Sequence, residues 1–256
     1  MTSSVLDVQG LFAGYDRTPI LKDVSLSVAP GERHVLIGPN GAGKTTFFRA
    51  LSGELLPSAG RIVFEGKDVT KLDGFRRVRA GMGRSFQVAR IFADMTPLEN
   101  VAVALEAGEV SNGRAGWRLA TAPKDSLRRE AEIILADLGL AAAGDEPASA
   151  LSHGDKKRLE LAMMLALKPR LLLLDEPTAG MASSDRMAAV RLVERIVKER
   201  GATLILTEHD MDVVFQLGTR ISVLHYGEIV TTDTPEGVRA NAFVREIYLG
   251  RGGHHA

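Results

Sequence analysis

Cysteine is absent from the 256-residue chain. That excludes a disulfide framework, a thiolate nucleophile and cysteine-bound zinc, and it permits a reducing compartment without requiring one. Net charge is missing as well, because 32 Lys and Arg balance 32 Asp and Glu. A whole-molecule pull on nucleic acid or anionic lipid is not expected from such a balance. A membrane span needs about 20 consecutive apolar residues, and the nearest stretch, Leu161 to Leu174, is cut by Lys168-Pro169-Arg170. The N-terminal MTSSVLDVQGLFAGY has neither the basic start nor the apolar centre of a signal peptide. Tandem repeats and Pro- or Ser-rich linkers are lacking too. These absences predict a soluble, cytoplasmic protein of one large domain or two intimate subdomains, with any membrane connection made through a partner.

What is present falls into three textures. The first third carries apolar residues at strand spacing in VLDVQGLFAGY, VSLSV and HVLIG, with Pro30-Gly31 as a turn, and RIVFEG as a further strand. After HVLIG a glycine-rich loop leads into a helix, TTFFRALSG, with Gly53 as its C-terminal stop. From about Pro97 to Lys168 Leu, Ala and charged residues dominate, and KDSLRREAEIILADLGL and KKRLELAMMLALK have helical periodicity. This reads as a helical insertion. Within it, AGEVSNGRAGWRLATAP has no period and is expected to be a mobile connection, with Trp117 capping a small apolar cluster. LLLLD, ATLILTEH and RISVLH then read as parallel strands buried on both faces. DRMAAVRLVERIVKER links the first two as an amphipathic helix, Tyr226-Gly227 turns into EIVTT, and a short helix near AFVREIYLG ends at Gly250. The basic runs Arg76, Arg77, Arg79 and Lys156, Lys157, Arg158 read as solvated helix faces, and His254 and His255 as a disordered end.

Chemistry concentrates first in Gly38-Pro39-Asn40-Gly41-Ala42-Gly43-Lys44-Thr45, which fits G-x-x-x-x-G-K-[ST]. A chain of this length matches that pattern by accident roughly once in a hundred, and here the motif also follows a strand and opens a helix. Glycines let successive N–H groups curl toward phosphate oxygens, and the helix N-terminus adds partial positive charge. Lys44 would reach the β- and γ-phosphates and the Thr45 hydroxyl would ligate Mg²⁺; Thr46 continues the helix beside them. A second element, Leu171 to Leu174 followed by Asp175-Glu176-Pro177, delivers two carboxylates at the C-terminal edge of a sheet, where α/β ligands bind. Asp175 would hold Mg²⁺ through water and Glu176 would deprotonate an attacking water. Read alone, this stretch is equally a strand ending in solvated acids.

The third element is Leu151-Ser152-His153-Gly154-Asp155, just before a helical run. Here the chain resembles the nucleotide-binding subunits of ABC transporters, whose signature reads L-S-G-G-Q, and the resemblance covers essentially the whole sequence. Asn40 and Gly41 fit the family's P-loop wording, Gln87 in GRSFQ matches its Q-loop, Ala179 to Asp185 its D-loop, and His209 in LILTEHD its switch histidine. Tyr15 sits where the family places an adenine-stacking aromatic, although simple packing would also account for it. Gln87 and His209 read alone are polar surface. The resemblance gives them contacts to Mg²⁺ and water, and to the γ-phosphate and Glu176, respectively. It also implies an α/β fold: a P-loop core with a parallel central sheet (1–92 and 168–256), an N-terminal antiparallel β-subdomain, and an inserted helical signature subdomain (93–167).

By the same resemblance Ser152 and Gly154 meet ATP held by a second ATPase subunit, a copy or a paralogue, in a head-to-tail dimer. His153 and Asp155 depart from the commonest signature. Ser152 also reads as an N-cap with Asp155 at the third helical position, a near capping box, and the carboxylate would compete with phosphate there. Asp155→Gln is therefore expected to keep activity and raise ATP affinity. The resemblance further implies integral membrane permease subunits, docking near Phe86 to Leu105, and peripheral placement at the cytoplasmic face of the membrane. RAGMGRSFQ, RIFADMTPLENV and VREIYLG are closest in wording to the LivG type of branched-chain and hydrophobic amino-acid importers, which work with an extracytoplasmic solute-binding protein. LSHGD is also similar to urea and short-chain amide importers, and lipopolysaccharide-export ATPases are a further resemblance. Soluble ABC ATPases of DNA repair or translation typically carry long coiled coils or tandem cassettes, which this chain lacks, and neutral charge argues against nucleic acid. A small-molecule kinase would have no use for LSHGD, Gln87 and His209 together.

Overall fold

The computed structural model describes residues 4–16, 18–85, 90–111, 125–143, 145–181 and 183–246. In chain order these form β1 (Leu6–Tyr15), β2 (Thr18–Val28), β3 (Arg33–Ile37), α1 (Lys44–Ser52), β4 (Ala59–Phe64), β5 (Lys67–Asp68), α2 (Gly74–Arg79) and β6 (Met82–Arg84). Three helices follow: α3 (Pro97–Ser111), α4 (Asp125–Asp137) and α5 (His153–Ala166). The order closes with β7 (Leu171–Asp175), α6 (Ser183–Arg200), β8 (Thr203–Thr207), α7 (Met211–Leu217), β9 (Arg220–His225), β10 (Glu228–Asp233), α8 (Pro235–Ala240) and a last turn at Ala242–Val244.

Two sheets organise these elements. One is antiparallel, in the order β2-β1-β4-β5; the other runs β10-β9-β3-β8-β7-β6 and is parallel except for its edge strand β10. Because successive strand residues point to opposite faces, the apolar strands of the second sheet feed two separate cores. Val35, Ile37, Leu172, Leu174, Leu204, Leu206, Ile221 and Val223 face one side, where Val101, Leu105, Leu127, Ile134, Leu159 and Leu165 of the helical insertion join the same apolar cluster. Leu36, Leu171, Leu173, Ile205 and Leu224 face the other, against Phe47 and Phe48 of α1 and the antiparallel sheet. The expected α/β architecture with a parallel central sheet is thus present, and every residue of β7 and β8 is buried.

Two sequence readings need correction. The segment read as aperiodic from Ala107 begins as helix, since α3 continues to Ser111; Ala107, Glu109 and Val110 add no helix breaker, and Gly108 lies 3.8 Å (from an added Cβ) from the Ala166 carbonyl, close to the end of α5. Trp117, Gly250, His254 and His255 lie outside the described residues. The basic run of α2 is not uniformly solvated: Arg77 is fully buried. Its guanidinium donates to the carbonyls of Leu72 (3.0 Å), Ala50 (2.5 Å), Leu51 (2.7 Å) and Thr70 (3.0 Å), so it adds donors at the end of α1, where the Ala50 carbonyl also accepts from the Gly53 N–H (3.4 Å). Burial pushes it down to about 10. Lys157 is likewise half-buried, donating to the Ala179 carbonyl at 2.8 Å.

Candidate functional site

Strand β3 ends at Ile37, and the chain passes through Gly38 to Gly43 before α1 begins. Side chains are excluded at two of these positions. A Cβ on Gly38 would stand 2.2 Å from the Leu224 carbonyl oxygen of β9, and Gly43 has φ 108° with Leu21 2.9 Å from where its Cβ would lie. Gly43 is the N-cap of α1, no side chain caps this helix, and its first turn holds no acid. The first-turn N–H groups and the positive helix end are therefore left for an anionic ligand.

That end opens on a cleft of ≈ 300 Å³ lined by Tyr15, Ile20, Asn40, Gly41, Ala42, Gly43, Lys44, Thr45, Thr46, Glu176 and His209. Lys44 is buried, and its ammonium donates to the carbonyls of Gly38 (2.6 Å) and Pro39 (3.2 Å). Burial holds it below the usual lysine range, partly offset by the Glu176 and Asp175 carboxylates. Tyr15, at the end of β1, is 41% exposed and its hydroxyl accepts from Arg49 Nη1 at 3.0 Å. An exposed ring tethered at its hydroxyl suits a stacking platform better than core packing.

Across the cleft stand the two residues that could handle a water. Glu176 Oε1 and His209 Nε2 are 2.6 Å apart. Glu176 follows β7 with φ 50°, a left-handed conformation that costs a non-glycine residue about 1 kcal/mol. Its N–H is held by the Thr207 carbonyl (3.2 Å) and hydroxyl (3.1 Å). Asp175 is buried behind it, accepting from the Thr207 hydroxyl at 2.7 Å, with its own N–H donated to Ser85 Oγ (3.1 Å) and Arg84 Nη2 4.0 Å away. Among the described residues no cluster of three or more His, Asp or Glu could hold a metal. The oxygen donors at this edge, the Thr45 hydroxyl and the Asp175 carboxylate, suit a hard cation.

The fold thus gathers the glycine-rich loop, Tyr15, Glu176 and His209 into one cleft, with Asp175 adjacent. It does not bring Ser152 or Gly154 there. Ser152 is exposed at the start of α5, its hydroxyl accepting from the Asp155 N–H (3.1 Å) and donating to the Asp155 carboxylate (2.8 Å), which also pairs with Arg158 (3.3 Å). Gln87 lies outside the described residues. Sequence reasoning passed over Arg49, Ser85, Thr178, Thr207 and Glu208, which hold the site from behind. Their only signal was position: Ser85 follows β6, Thr178 follows Glu176-Pro177, and Thr207 ends the fully buried strand β8 with Glu208 next to it.

Comparison with known proteins sets this geometry in context. The family model described as ABC transporter matches residues 21–179. Over 97% of this chain and 98% of its own length, a lipopolysaccharide export system ATP-binding protein, LptB of Acidithiobacillus ferridurans, is 35% identical. The high-affinity branched-chain amino acid transport ATP-binding proteins BraF of Pseudomonas aeruginosa (34%) and LivG of Escherichia coli (35%) match over 98% of this chain and 99% of their own. Among solved structures, the ADP conformation of the ATP-binding cassette MJ1267 superposes with a TM-score of 0.84 at 28% identity, covering 97% of this chain and all (100%) of that one.

Proposed function

The chain belongs to the ABC transporter family and is an ATP-hydrolysing subunit of a transporter, and from that premise we propose that it powers a membrane importer of branched-chain or other hydrophobic amino acids. The observation that carries the hydrolytic reading is the Glu176–His209 pair facing Lys44 and the uncapped start of α1 across one cleft. ATP would lie with its adenine on Tyr15 and its phosphates on Gly38, Pro39, Asn40, Gly41, Ala42, Gly43, Lys44, Thr45 and Thr46. Lys44 and the α1 N–H groups then stabilise charge as it develops on the γ-phosphoryl group.

Glu176 takes a proton from the attacking water as the water oxygen bonds to the γ-phosphorus and the bond to the bridging oxygen breaks, leaving ADP. His209 holds Glu176 and the water in line and hydrogen-bonds the γ-phosphate. Thr45, Asp175 and Gln87 would hold Mg²⁺, which screens phosphate charge when bound. Glu176→Gln should lose turnover by about 10²–10³-fold while still binding ATP; normal turnover would remove Glu176 as the base.

Ser152 and Gly154 lie away from this cleft, which supports their serving ATP bound by a second subunit, a copy or a paralogue. ATP then favours closure because it touches both faces only when they meet, and hydrolysis releases it. No described helix is long and apolar enough to cross a membrane, consistent with peripheral attachment at the cytoplasmic face through permease subunits. A solute-binding protein outside the membrane and no nucleic-acid partner complete the reading. Lipopolysaccharide export is a second reading, favoured by the LptB match; LSHGD keeps urea or short amides as alternative cargo. The transport phenotype decides between them. An importer subunit should bring down permeases and restore leucine uptake to a strain lacking it, whereas failure of uptake with a lipopolysaccharide defect would favour export.

A further inference from the structure

One buried carboxylate next to the cleft takes no part in the chemistry described above. Glu208 is 3% exposed and does not line the cleft. Its Oε1 accepts from both the N–H (3.0 Å) and the hydroxyl (2.7 Å) of Thr178, and its Oε2 accepts from the N–H of His209 (3.2 Å). Thr178 is two residues beyond Glu176, in a tight loop where the Ala179 N–H donates to the Glu176 carbonyl (3.1 Å) and the Met181 N–H to the Thr178 carbonyl (3.2 Å). A single carboxylate therefore ties the loop that presents Glu176 to the loop that presents His209. An ionised group is costly to bury unless it is well paired, so an apolar residue would fill this place more cheaply if packing were all it supplied.

Two further observations bear on what is being held. Glu176 occupies a strained left-handed conformation, which persists only where the surroundings over-determine it. Thr207 fixes its N–H from one side; the Glu208–Thr178 bonds fix the loop from the other. The same loop is also tied to α5, because Lys157 donates to the Ala179 carbonyl at 2.8 Å. Burial pushes the Lys157 ammonium down, and the Glu208, Glu160 and Glu176 carboxylates offset part of that. The loop is thus held at Thr178 and Ala179, by anchors on two different elements.

We propose that Glu208 is a positioning residue for ATP hydrolysis: by clamping Thr178 to the His209 backbone it keeps the Glu176 carboxylate and the His209 ring in register for the attacking water. The inference rests on Glu176 being the base, and it assigns Glu208 no contact with nucleotide. Misplacement of catalytic groups by about 1 Å can cost on the order of 10²-fold in rate, so kcat should be sensitive to this clamp while ATP binding is not.

The test compares Glu208→Ala, Glu208→Gln, Thr178→Val and the double variant Glu208→Ala/Thr178→Val in full-length protein. It measures kcat, the Kd for a fluorescent ATP analogue, and thermal melting. Glu208→Ala should lower kcat by at least tenfold with Kd within twofold. Glu208→Gln, which keeps an oxygen for Thr178, should recover most of the rate. Thr178→Val should slow the wild type several-fold yet add little to Glu208→Ala. Wild-type kcat in Glu208→Ala overturns the proposal, as does a loss in kcat matched by weaker ATP binding. Should Glu208→Ala not fold, a wild-type kcat in Thr178→Val overturns it equally. Glu176→Gln is measured alongside. If that variant turns over normally the reading of the base fails, whereas an inactive Glu176→Gln beside an unimpaired Glu208→Ala defeats the clamp alone.

Discussion

Replacing Asp155 with Gln sets two effects of one carboxylate against each other. In the folded chain the Ser152 hydroxyl donates to that carboxylate at 2.8 Å, Arg158 pairs with it at 3.3 Å, and it sits in the first turn of α5. The hydrogen bond to a charged group in a site this exposed is worth about 1 kcal/mol, the exposed ion pair about 0.5 kcal/mol and the helix-end charge about 0.5 kcal/mol. Glutamine retains an acceptor, so the variant should lose about 1 kcal/mol of folding stability, read as a lower urea midpoint at unchanged slope. The same change removes a negative charge from the helix end proposed to meet a facing γ-phosphate. A gain of about 0.5 kcal/mol at each of the two such ends in a self-paired dimer, about 1 kcal/mol together, tightens the ATP-bound dimer roughly fivefold. Sedimentation velocity over a range of ATP concentrations, in a Glu176→Gln background that prevents turnover, reads the dimer constant directly. Less stable monomer with tighter dimer is the expected pair of results. A dimer that loosens, or one indifferent to the change, refutes the competition between carboxylate and phosphate.

Other perturbations are read more simply. Because burial holds the free Lys44 ammonium below its ordinary 10.5, and phosphate would stabilise the charged form, ATP binding should take up protons on the alkaline side. Affinity is then full at neutral pH and falls as pH rises through the lowered value; titration calorimetry over an alkaline pH series in two buffers of different ionisation enthalpy should give unequal heats, and equal heats throughout refute it. Arg49→Ala, which unties the Tyr15 hydroxyl, should raise KM for ATP about two- to fivefold with kcat unchanged, and Tyr15→Phe should do the same. A fall in kcat alone would contradict the stacking role. Arg77→Leu removes a donor from the buried carbonyls of Ala50 and Leu51 and the partly buried ones of Leu72 and Thr70 and should cost about 3 kcal/mol in urea unfolding; a shift under about 1 kcal/mol would mean water replaces the guanidinium. Ser152→Arg should abolish ATP-driven dimerisation and leave nucleotide binding by the monomer intact, and an unaffected dimer would argue against a shared site.

Much of the fold was legible because its signals are local. A buried strand such as LLLLD and a glycine-rich turn before a helix announce themselves within ten residues, and the β7 and β8 runs duly form fully buried strands. Lys44 and Glu176 were singled out for the same reason, each lying at a strand end or a turn, whereas Tyr15 and His209, read alone as packing and polar surface, were singled out only through the family resemblance. The supporting shell was not. Arg77 reads as one of several arginines, and nothing near it in sequence says that the carbonyls it satisfies belong to residues 26 and 27 positions earlier. Thr178 and Glu208 meet across 30 residues, and Thr207 and Asp175 across 32. Such contacts follow from parallel strand register, β7 beside β8, and period and propensity do not encode which strand lies beside which. The end of α3 was misread because the segment from Ala107 has no apolar period, while in the fold the helix continues through Gly108 to Ser111 beside the end of α5.

The helices between Pro97 and Ala166 and one face of the parallel sheet contribute to a single apolar cluster. Two bodies joined through shared oil cannot part without wetting both, and close-packed side chains resist gradual deformation. Any travel of these helices therefore has to keep that seam covered, with interdigitated rows trading neighbours. For an engineer, the seam also means that the helical part cannot be lifted out and replaced like a cartridge. An exchange would have to carry its matching half of the sheet, or the exposed strands would find each other in the test tube.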